Sequence, residues 1–274
     1  MIVDIHNHIL PGLDDGPKNW EETILLAKQA VETGINHVIA TPHHKHVHRE
    51  HFYENDPLNI LDQVNKANEL LVDHRIPLTI YPGLEIHMYE DILKDLDYKL
   101  ESFLSLNDNG KFLLIELPCH YYPSHTEDAL KRIQEKGFIP IIAHPERNRV
   151  LRGNPEKIYS LVQNRALVQL TAGSITGQHG RRLKNFSLHL LNHDLVHFVA
   201  SDAHHHIRRK FELVSSYEYI NEKFSAELSR YLKDNAVQII EGKEVSKNTP
   251  RKIDKKRQYF FLYNHPLNSK GVSI

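Results

Sequence analysis

Short apolar runs alternate with amphipathic stretches along most of this chain. Seven runs are strand-like and lie at about residues 2–6, 36–41, 77–82, 112–117, 139–143, 166–171 and 196–201. Between them, apolar residues recur at helical spacing over residues 19–33, 57–73, 124–136, 155–163 and 180–192. Strand–helix alternation implies parallel strands joined by right-handed crossovers. The pattern therefore predicts an α/β barrel with seven strands, one unit short of the familiar eight.

Residues at the helix ends refine this prediction. Gly34 stops the first helix, Ser124 or Thr126 stands where an N-cap belongs, and Asn154 precedes a proline suited to the first helical turn. The longer segment 86–110 is predicted to hold a helix packed under the barrel.

Composition is typical of a soluble enzyme of one main domain. The 274 residues include 34 Lys and Arg against 35 Asp and Glu, so no bulk charge attracts nucleic acid or a membrane. The single Cys119 excludes an internal disulfide and suits a reducing compartment. No apolar stretch approaches the roughly 20 residues of a membrane span, and the first residues lack the basic region and apolar core that a signal peptide would be expected to have. We expect a cytoplasmic protein with a barrel over residues 1–245 and a basic, aromatic tail over 246–274.

Histidines and carboxylates recur at or just after the ends of the strand-like runs. The nine candidate metal ligands are His6, His8, a turn carboxylate (Asp14 or Asp15), His43, Glu85, Glu116, His144, Asp202 and His204. One polar strand end is unremarkable because strand ends are solvated. Six of them, all with His, Asp or Glu, predict a multinuclear metal centre at the C-terminal rim of the barrel, where active sites of such barrels lie.

The types of ligand restrict the metal. His6 and His8 are two residues apart on a strand and point to one side, so both imidazoles can bind one cation. A mixed set of His and carboxylate without thiolate suits Mn, Fe or Zn. Nine ligands exceed what one or two ions need, which predicts three divalent ions.

Histidine is the compositional outlier, with 21 residues. A lone histidine is usually solvated or hydrogen-bonded, and we interpret His37, His74, His189 and His193 in this way. We expect a second set, in a polar loop, to be solvated or to face the substrate. It comprises His44, His46, His48 and His51.

Two arginines near the candidate ligands indicate phosphate chemistry. Adjacent metals bind the oxygens of a phosphoryl centre and generate hydroxide from water near neutral pH. Arg147 follows His144 by three residues and Arg209 follows His204 by five, and a guanidinium matches a phosphate bidentately. Alone, either arginine fits a surface ion pair better. The residues after Cys119 include neither the glycines nor the arginine that a cysteine-based phosphate-binding loop needs.

The motifs around these residues resemble those of the polymerase and histidinol phosphatase (PHP) superfamily. They are Asp4-Ile5-His6-Asn7-His8, Leu13-Asp14-Asp15-Gly16-Pro17, Ala40-Thr41-Pro42-His43, Gly83-Leu84-Glu85-Ile86, Ile115-Glu116, Ala143-His144-Pro145-Glu146-Arg147 and Ala200-Ser201-Asp202-Ala203-His204. The resemblance covers roughly residues 1–240. It is closest to the manganese-dependent bacterial tyrosine phosphatases that act on kinases of capsule and exopolysaccharide synthesis.

The resemblance implies a distorted TIM-like (β/α)7 barrel with three metals, most readily Mn, with Fe or Zn as alternatives. It assigns three ligand sets: His6, His8, Glu85 and Asp202; Glu85, Glu116 and His144; and Asp15, His43 and His204. Arg147 and Arg209 would bind the phosphate. The implied enzyme is a phosphotyrosine-protein phosphatase that hydrolyses its substrate by metal-bound hydroxide. The implied partner is a membrane-associated tyrosine kinase, which would bring the protein to the inner membrane surface.

Three other functions remain open at this point. A small-molecule phosphatase of the histidinol-phosphate kind would use the same ligands. A metal-stabilised binding module would be expected to lack some ligands, and all nine positions are filled here. A nuclease normally has a basic footprint, which this chain lacks. The basic tail, with Arg251, Lys252, Lys255, Lys256 and Arg257, fits either a solvated segment or a contact with anionic partners or the membrane surface.

Overall fold

A computed structural model describes residues 1–48 and 50–253. Its strands are Val3–Asn7 (β1), His37–Ala40 (β2), His43–His44 (β3), His46–His48 (β4), His51–Tyr53 (β5), Thr79–Tyr81 (β6), Glu85–His87 (β7), Phe112–Glu116 (β8), Ile139–Ala143 (β9), Leu167–Thr171 (β10) and Phe198–Ala200 (β11). Its α-helices are Trp20–Glu32 (α1), Pro57–Asp73 (α2), Ile92–Tyr98 (α3), Thr126–Glu135 (α4), Arg149–Gly153 (α5), Glu156–Gln163 (α6), Ala172–Thr176 (α7), Arg181–Leu191 (α8), Leu213–Lys223 (α9) and Ala226–Ile240 (α10). All seven predicted strands and all five predicted helices are confirmed, as is a helix within segment 86–110.

Capping residues explain where several helices begin. The side chain of Asn19 accepts a hydrogen bond from the backbone of Glu22 at the start of α1, and Asp56 caps α2 in the same way. The predicted N-caps of two later helices are wrong. His125 occupies that position in α4, and the hydroxyl of Thr126 instead donates to the carbonyl of Pro123. Asn154 ends α5 and therefore lies one residue before the cap of α6.

Parallel strands form two sheets. One has the order β1-β2-β6, and the other has the order β11-β10-β9-β8-β7-β3. A parallel bridge between Asn7 and Ala203 joins the end of β1 to the segment after β11. The chain also passes directly from β2 to β3 and from β6 to β7, so that each sheet continues into the other. The architecture is a mixed α/β fold built on parallel strands.

Both faces of these strands are buried. In β8, Phe112 and Leu114 pack into one apolar cluster, while Leu113 and Ile115 pack into the other. Strands covered on two faces read as continuous apolar runs rather than alternating ones, which is the pattern in the sequence. Because the strands run parallel, their carboxyl ends share one edge, and the polar residues that follow them are brought together there.

The segment after β3 departs from the sequence prediction of a polar loop. Strands β4 and β5 pair antiparallel, with His46 opposite Tyr53 and Val47 opposite Phe52. This hairpin lies beside the carboxyl ends of the other strands. Within the described ranges, no helix is long and apolar enough to cross a bilayer. Most of the predicted tail, residues 254–274, lies outside the described residues.

Candidate metal centre

All nine predicted ligands lie in one cluster at the carboxyl edge of the strands. Asp15 is half-buried, and the other eight are buried. The backbone after two strands helps to aim its side chains inward, since His144 and Asp202 both adopt positive φ, at 31° and 54°. Such conformations are costly for residues other than glycine and occur mainly where the surrounding structure enforces them. The backbone conformation after these two strands thus directs both side chains into the cluster.

Glu85 is at the centre of the cluster. Its Oε2 atom lies 3.2 Å from Nε2 of His6, 3.4 Å from Nε2 of His8 and 2.9 Å from Nδ1 of His43. Its Oε1 atom lies 2.8 Å from Nε2 of His144. One carboxylate therefore faces four imidazoles, which places it where it could bridge two cations.

The donor atoms fall into four overlapping groups. Within each group, one donor atom per residue lies within 4.8 Å of all the others. The groups are His6, His8 and Asp202; His6, Glu85 and His144; His8, Asp15, His43 and His204; and His43, His46 and Glu116. The first three contain eight of the nine predicted ligands, and Glu116 belongs to the fourth.

Buried donor atoms without a hydrogen-bond partner give a test of whether cations fit. They include Nε2 of His6, His8 and His204, Oδ1 of Asp15 and Oε2 of Glu85. Leaving such atoms unsatisfied costs about 1–3 kcal/mol each. These atoms face one another across the cluster, so divalent cations would satisfy all of them together. The residues present therefore fit a multinuclear metal centre of nitrogen and oxygen donors.

Gln169 and Asp14 orient His6 on β1 and His8 directly after this strand. The side-chain oxygen of Gln169 accepts a hydrogen bond from Nδ1 of His6 at 3.0 Å. Asp14 accepts from Nδ1 of His8 at 2.6 Å and from the backbone nitrogen of His43 at 3.0 Å. Both contacts leave Nε2 of the histidine free to bind a cation. Neither role was predicted from the sequence, because Gln169 lies mid-strand and Asp14 was considered only as a ligand.

The two turn carboxylates have different surroundings. Oδ1 of Asp15 lies 3.2 Å from Nε2 of His204 and 3.6 Å from Nε2 of His43, whereas Asp14 approaches the cluster through Nδ1 of His8. Burial opposes ionisation of Asp14, but His8 lowers the pKa of this carboxyl to about 2. Gly16 follows them because a Cβ atom there would clash with the carbonyl oxygen of His8.

Both predicted phosphate-binding arginines contact Asp202. Arg147 pairs with Oδ2 of this carboxylate, and a nitrogen of Arg209 lies 2.7 Å from the same oxygen. The opposite oxygen, Oδ1, faces His6 at 3.6 Å and His8 at 3.4 Å. Burial would raise the pKa of Asp202, but the two guanidinium groups hold it well below its usual value. Arg209 also lies 3.5 Å from Oδ2 of Asp15, so both arginines adjoin the cluster through its carboxylates.

Two histidines that the sequence prediction missed lie against Glu116. Nδ1 of His46, on the hairpin, is 3.4 Å from Oε2 of Glu116, and Nδ1 of His87 is 3.1 Å from the same oxygen. The two rings stack with centroids 4.7 Å apart. Burial lowers the pKa of His46 to about 4, so the imidazole is neutral at pH 7.

The prediction that the histidines of segment 44–51 are solvated or face the substrate is wrong for His44. His44 is buried and bonds through Nδ1 to the carbonyl of Asn55, and His46 reaches the cluster, whereas His51 is exposed. His87 stands two residues after Glu85 on β7, a spacing that could have identified it. No comparable sequence signal marks His46.

Comparison with known proteins relates most of the chain to one family. Residues 2–241 match the family of capsular polysaccharide synthesis, CpsB/CapC. The tyrosine-protein phosphatase YwqE of Bacillus subtilis is 38% identical over 261 residues, which span 95% of this chain and 100% of YwqE. The tyrosine-protein phosphatase CpsB of Streptococcus pneumoniae is 28% identical over 257 residues, or 92% of this chain and 98% of CpsB.

The fold is similar as well. A crystal structure from work on YwqE of Bacillus subtilis and CpsB of Streptococcus pneumoniae, described as metal-dependent tyrosine phosphatases, matches with a TM-score of 0.86. The match has 39% sequence identity and covers 93% of this chain and 100% of the other.

Proposed function

The chain belongs to the CpsB/CapC family of capsular polysaccharide synthesis, and we propose that it is a metal-dependent protein-tyrosine phosphatase. The observation that carries the proposal is the buried cluster of unpaired imidazole and carboxylate atoms in a chain whose relatives are named tyrosine-protein phosphatases. Bound divalent cations would supply an activated water and neutralise charge on the phosphoryl group.

The proposed centre holds three divalent ions, with Mn favoured over Fe or Zn. The first would be bound by His6, His8, Glu85 and Asp202, the second by Glu85, Glu116 and His144, and the third by Asp15, His43 and His204. The grouping of donor atoms supports the first and third sets most directly. Glu116 approaches His144 only to 3.9 Å, so the measured distances support the second ligand set least.

The chain's own residues would bind and orient the substrate. Arg147 and Arg209 can turn their remaining N–H groups toward phosphoryl oxygens while keeping Asp202 ionised. Gln169 and Asp14 would hold two imidazoles in the tautomer that presents Nε2 to a cation. The phosphate would thus lie between the arginines and the cluster.

We further propose that the two sheets form a distorted (β/α)7 barrel. The Asn7–Ala203 bridge and the continuity of β2 with β3 and of β6 with β7 support this closure. The proposed domain spans residues 1–245, with residues 246–274 as a tail.

The proposed substrate is a phosphotyrosine protein, namely a membrane-associated tyrosine kinase of capsule or exopolysaccharide synthesis. Such a substrate would place the enzyme in the cytoplasm at the inner membrane surface. The family match to capsular polysaccharide synthesis supports this choice.

The test compares hydrolysis of a phosphotyrosine peptide with that of histidinol phosphate. We expect the peptide to be the better substrate, chelator to abolish its turnover, and Mn²⁺ to restore it better than Mg²⁺, which prefers a largely aqueous oxygen shell. His6→Ala and Asp202→Ala should remain folded and inactive. Full activity of metal-free protein would refute the metal-dependent reaction, and preference for histidinol phosphate would refute the substrate.

A further inference from the structure

The two ring nitrogens of His43 face different donor groups. Nε2 lies 3.6 Å from Oδ1 of Asp15, on the side of His204. Nδ1 points the other way, toward Oε2 of Glu85 at 2.9 Å and Oε2 of Glu116 at 3.8 Å. A cation bound with Asp15 and His204 would therefore leave the Nδ1 side of His43 available to another group.

The two oxygens of Glu116 are divided in a similar way. Oε1 faces Nε2 of His144 at 3.9 Å, within the proposed second ligand set. Oε2 faces Nδ1 of His46 at 3.4 Å and Nδ1 of His87 at 3.1 Å. One carboxylate can bridge two cations through its two oxygens, so a cation bound to Oε1 leaves Oε2 available for a second cation.

His46 reaches Glu116 from the hairpin. Nitrogen and oxygen ligands at about 2.0–2.1 Å from a tetrahedral zinc ion stand about 3.3–3.4 Å apart. The separation between His46 and Glu116, 3.4 Å, matches that edge, and the separation of 3.8 Å between His43 and Glu116 exceeds it slightly. The side chain of His46 is 15% exposed, whereas those of His6 and His8 are fully buried, so this group lies at the mouth of the cluster.

We propose that His46, Glu116 and the Nδ1 side of His43 form an additional site for a divalent cation that favours imidazole nitrogen, such as Zn²⁺. His43 would then bind one ion through each ring nitrogen as an imidazolate, and the ring proton of the neutral imidazole would be released to solvent on metal binding. Three protein donors leave a coordination position of a tetrahedral ion open. That position would be available to a phosphoryl oxygen entering from outside. The inference rests on the proposed function only in taking His43 and Glu116 as ligands of the deeper centre.

His87 would support this site without completing it. Its Nδ1–H donates to the same oxygen of Glu116, and its ring stacks on that of His46 with the planes 4° apart. Its loss should loosen both ligands, and residues that orient ligands in this way typically contribute about 10-fold or more to metal affinity.

The test counts metals bound to the full chain, prepared without a histidine tag and loaded with Mn²⁺. After equilibrium dialysis against Zn²⁺, the sum of Mn and Zn per chain is measured by mass spectrometry. We expect wild type to hold one more ion than His46→Ala. The matched control is His51→Ala, an exposed histidine on the partner strand of the same hairpin, which should bind as much as wild type. His87→Ala should keep the number of ions but bind the last one about tenfold more weakly.

Equal totals for wild type and His46→Ala would overturn the inference. A loss of more than one ion in a variant whose metal-free melting temperature is unchanged would also overturn it, because His46 would then belong to the deeper centre. Absence of phosphotyrosine hydrolysis in the wild type would refute the proposed function instead. In that case, a difference of one bound ion between wild type and His46→Ala would still support the additional cation site.

Discussion

Replacing Asp14 by Asn tests whether the metal centre depends on residues that do not themselves bind metal. Asp14 accepts three hydrogen bonds: Oδ2 from Nδ1 of His8 at 2.6 Å and from the backbone nitrogen of His43 at 3.0 Å, and Oδ1 from the backbone nitrogen of Gly16 at 2.9 Å. An amide of the same shape has only one acceptor oxygen. If that oxygen faces His8, the new NH₂ group faces the N–H of Gly16, and two donors oppose each other.

The other orientation of the amide is worse for metal binding. The NH₂ group would then face His8, whose proton would have to move from Nδ1 to Nε2, the atom directed at Glu85 and Asp202. A protonated nitrogen cannot bind a cation. Loss of a carboxylate partner from a metal-binding histidine typically costs about 10- to 100-fold in metal affinity, or about 1.4–2.7 kcal/mol. We expect Asp14→Asn to weaken Mn²⁺ binding within that range.

The assay is a titration of Mn²⁺ in a chelator buffer, with binding followed directly rather than through turnover. Asp56→Asn is the matched control, since Asp56 also accepts backbone hydrogen bonds but caps α2, and Asn caps helices as well as Asp does. Unchanged affinity in Asp14→Asn would refute the reasoning. Equal weakening in both variants would show a general loss of stability rather than loss of orientation.

Further predictions concern the arginines and a buried histidine. Arg147→Ala and Arg209→Ala should keep their metals but lose kcat/KM by about 10²-fold or more, because each removes a charged donor to the phosphoryl group. The exposed Arg208 provides the control variant Arg208→Ala. Loss of metal in either variant would instead show that the arginines hold Asp202 in place. Burial lowers the pKa of His197 to about 3, so only the unfolded chain takes up its proton as the pH falls below about 6.5. Wild type should therefore lose about 2 kcal/mol more stability than His197→Asn between pH 7.5 and 5, measured by denaturant unfolding; equal losses would contradict this.

The sequence predicted the strands well because burial on both faces leaves a strong signal. An apolar run such as Phe112–Glu116 ends abruptly at a carboxylate, and the parallel arrangement brings such ends together. The N-caps were harder to predict, because both residues have capping side chains but take other positions: the Thr126 hydroxyl donates to Pro123, and the backbone N–H of Asn154 closes the end of α5. Helix ends depend on tertiary contacts as much as on local preference.

Residues around the cluster were less predictable than the candidate ligands. Gln169 belongs to a mostly apolar strand, and only the position of His6 across the fold shows why this side chain is buried there. His46 could not be distinguished from its neighbours His44 and His51, because the hairpin that separates their environments follows from pairing between β4 and β5. Long-range geometry, which composition and spacing do not encode, decides both cases.

Asp4 connects the first and last strands that contribute to the metal centre. Its carboxylate accepts hydrogen bonds from the backbone nitrogen of Ser201 at 2.8 Å and from the Ser201 hydroxyl at 2.5 Å, across 197 residues of sequence. Asp202, the residue after Ser201, donates its backbone N–H to the carbonyl of His6 at 2.8 Å. His6 and Asp202 can therefore meet only when β1 and β11 have come together, which requires most of the chain to be folded. Cations that bind this pair stabilise the folded chain over the unfolded one, so metal occupancy and stability of the fold are linked.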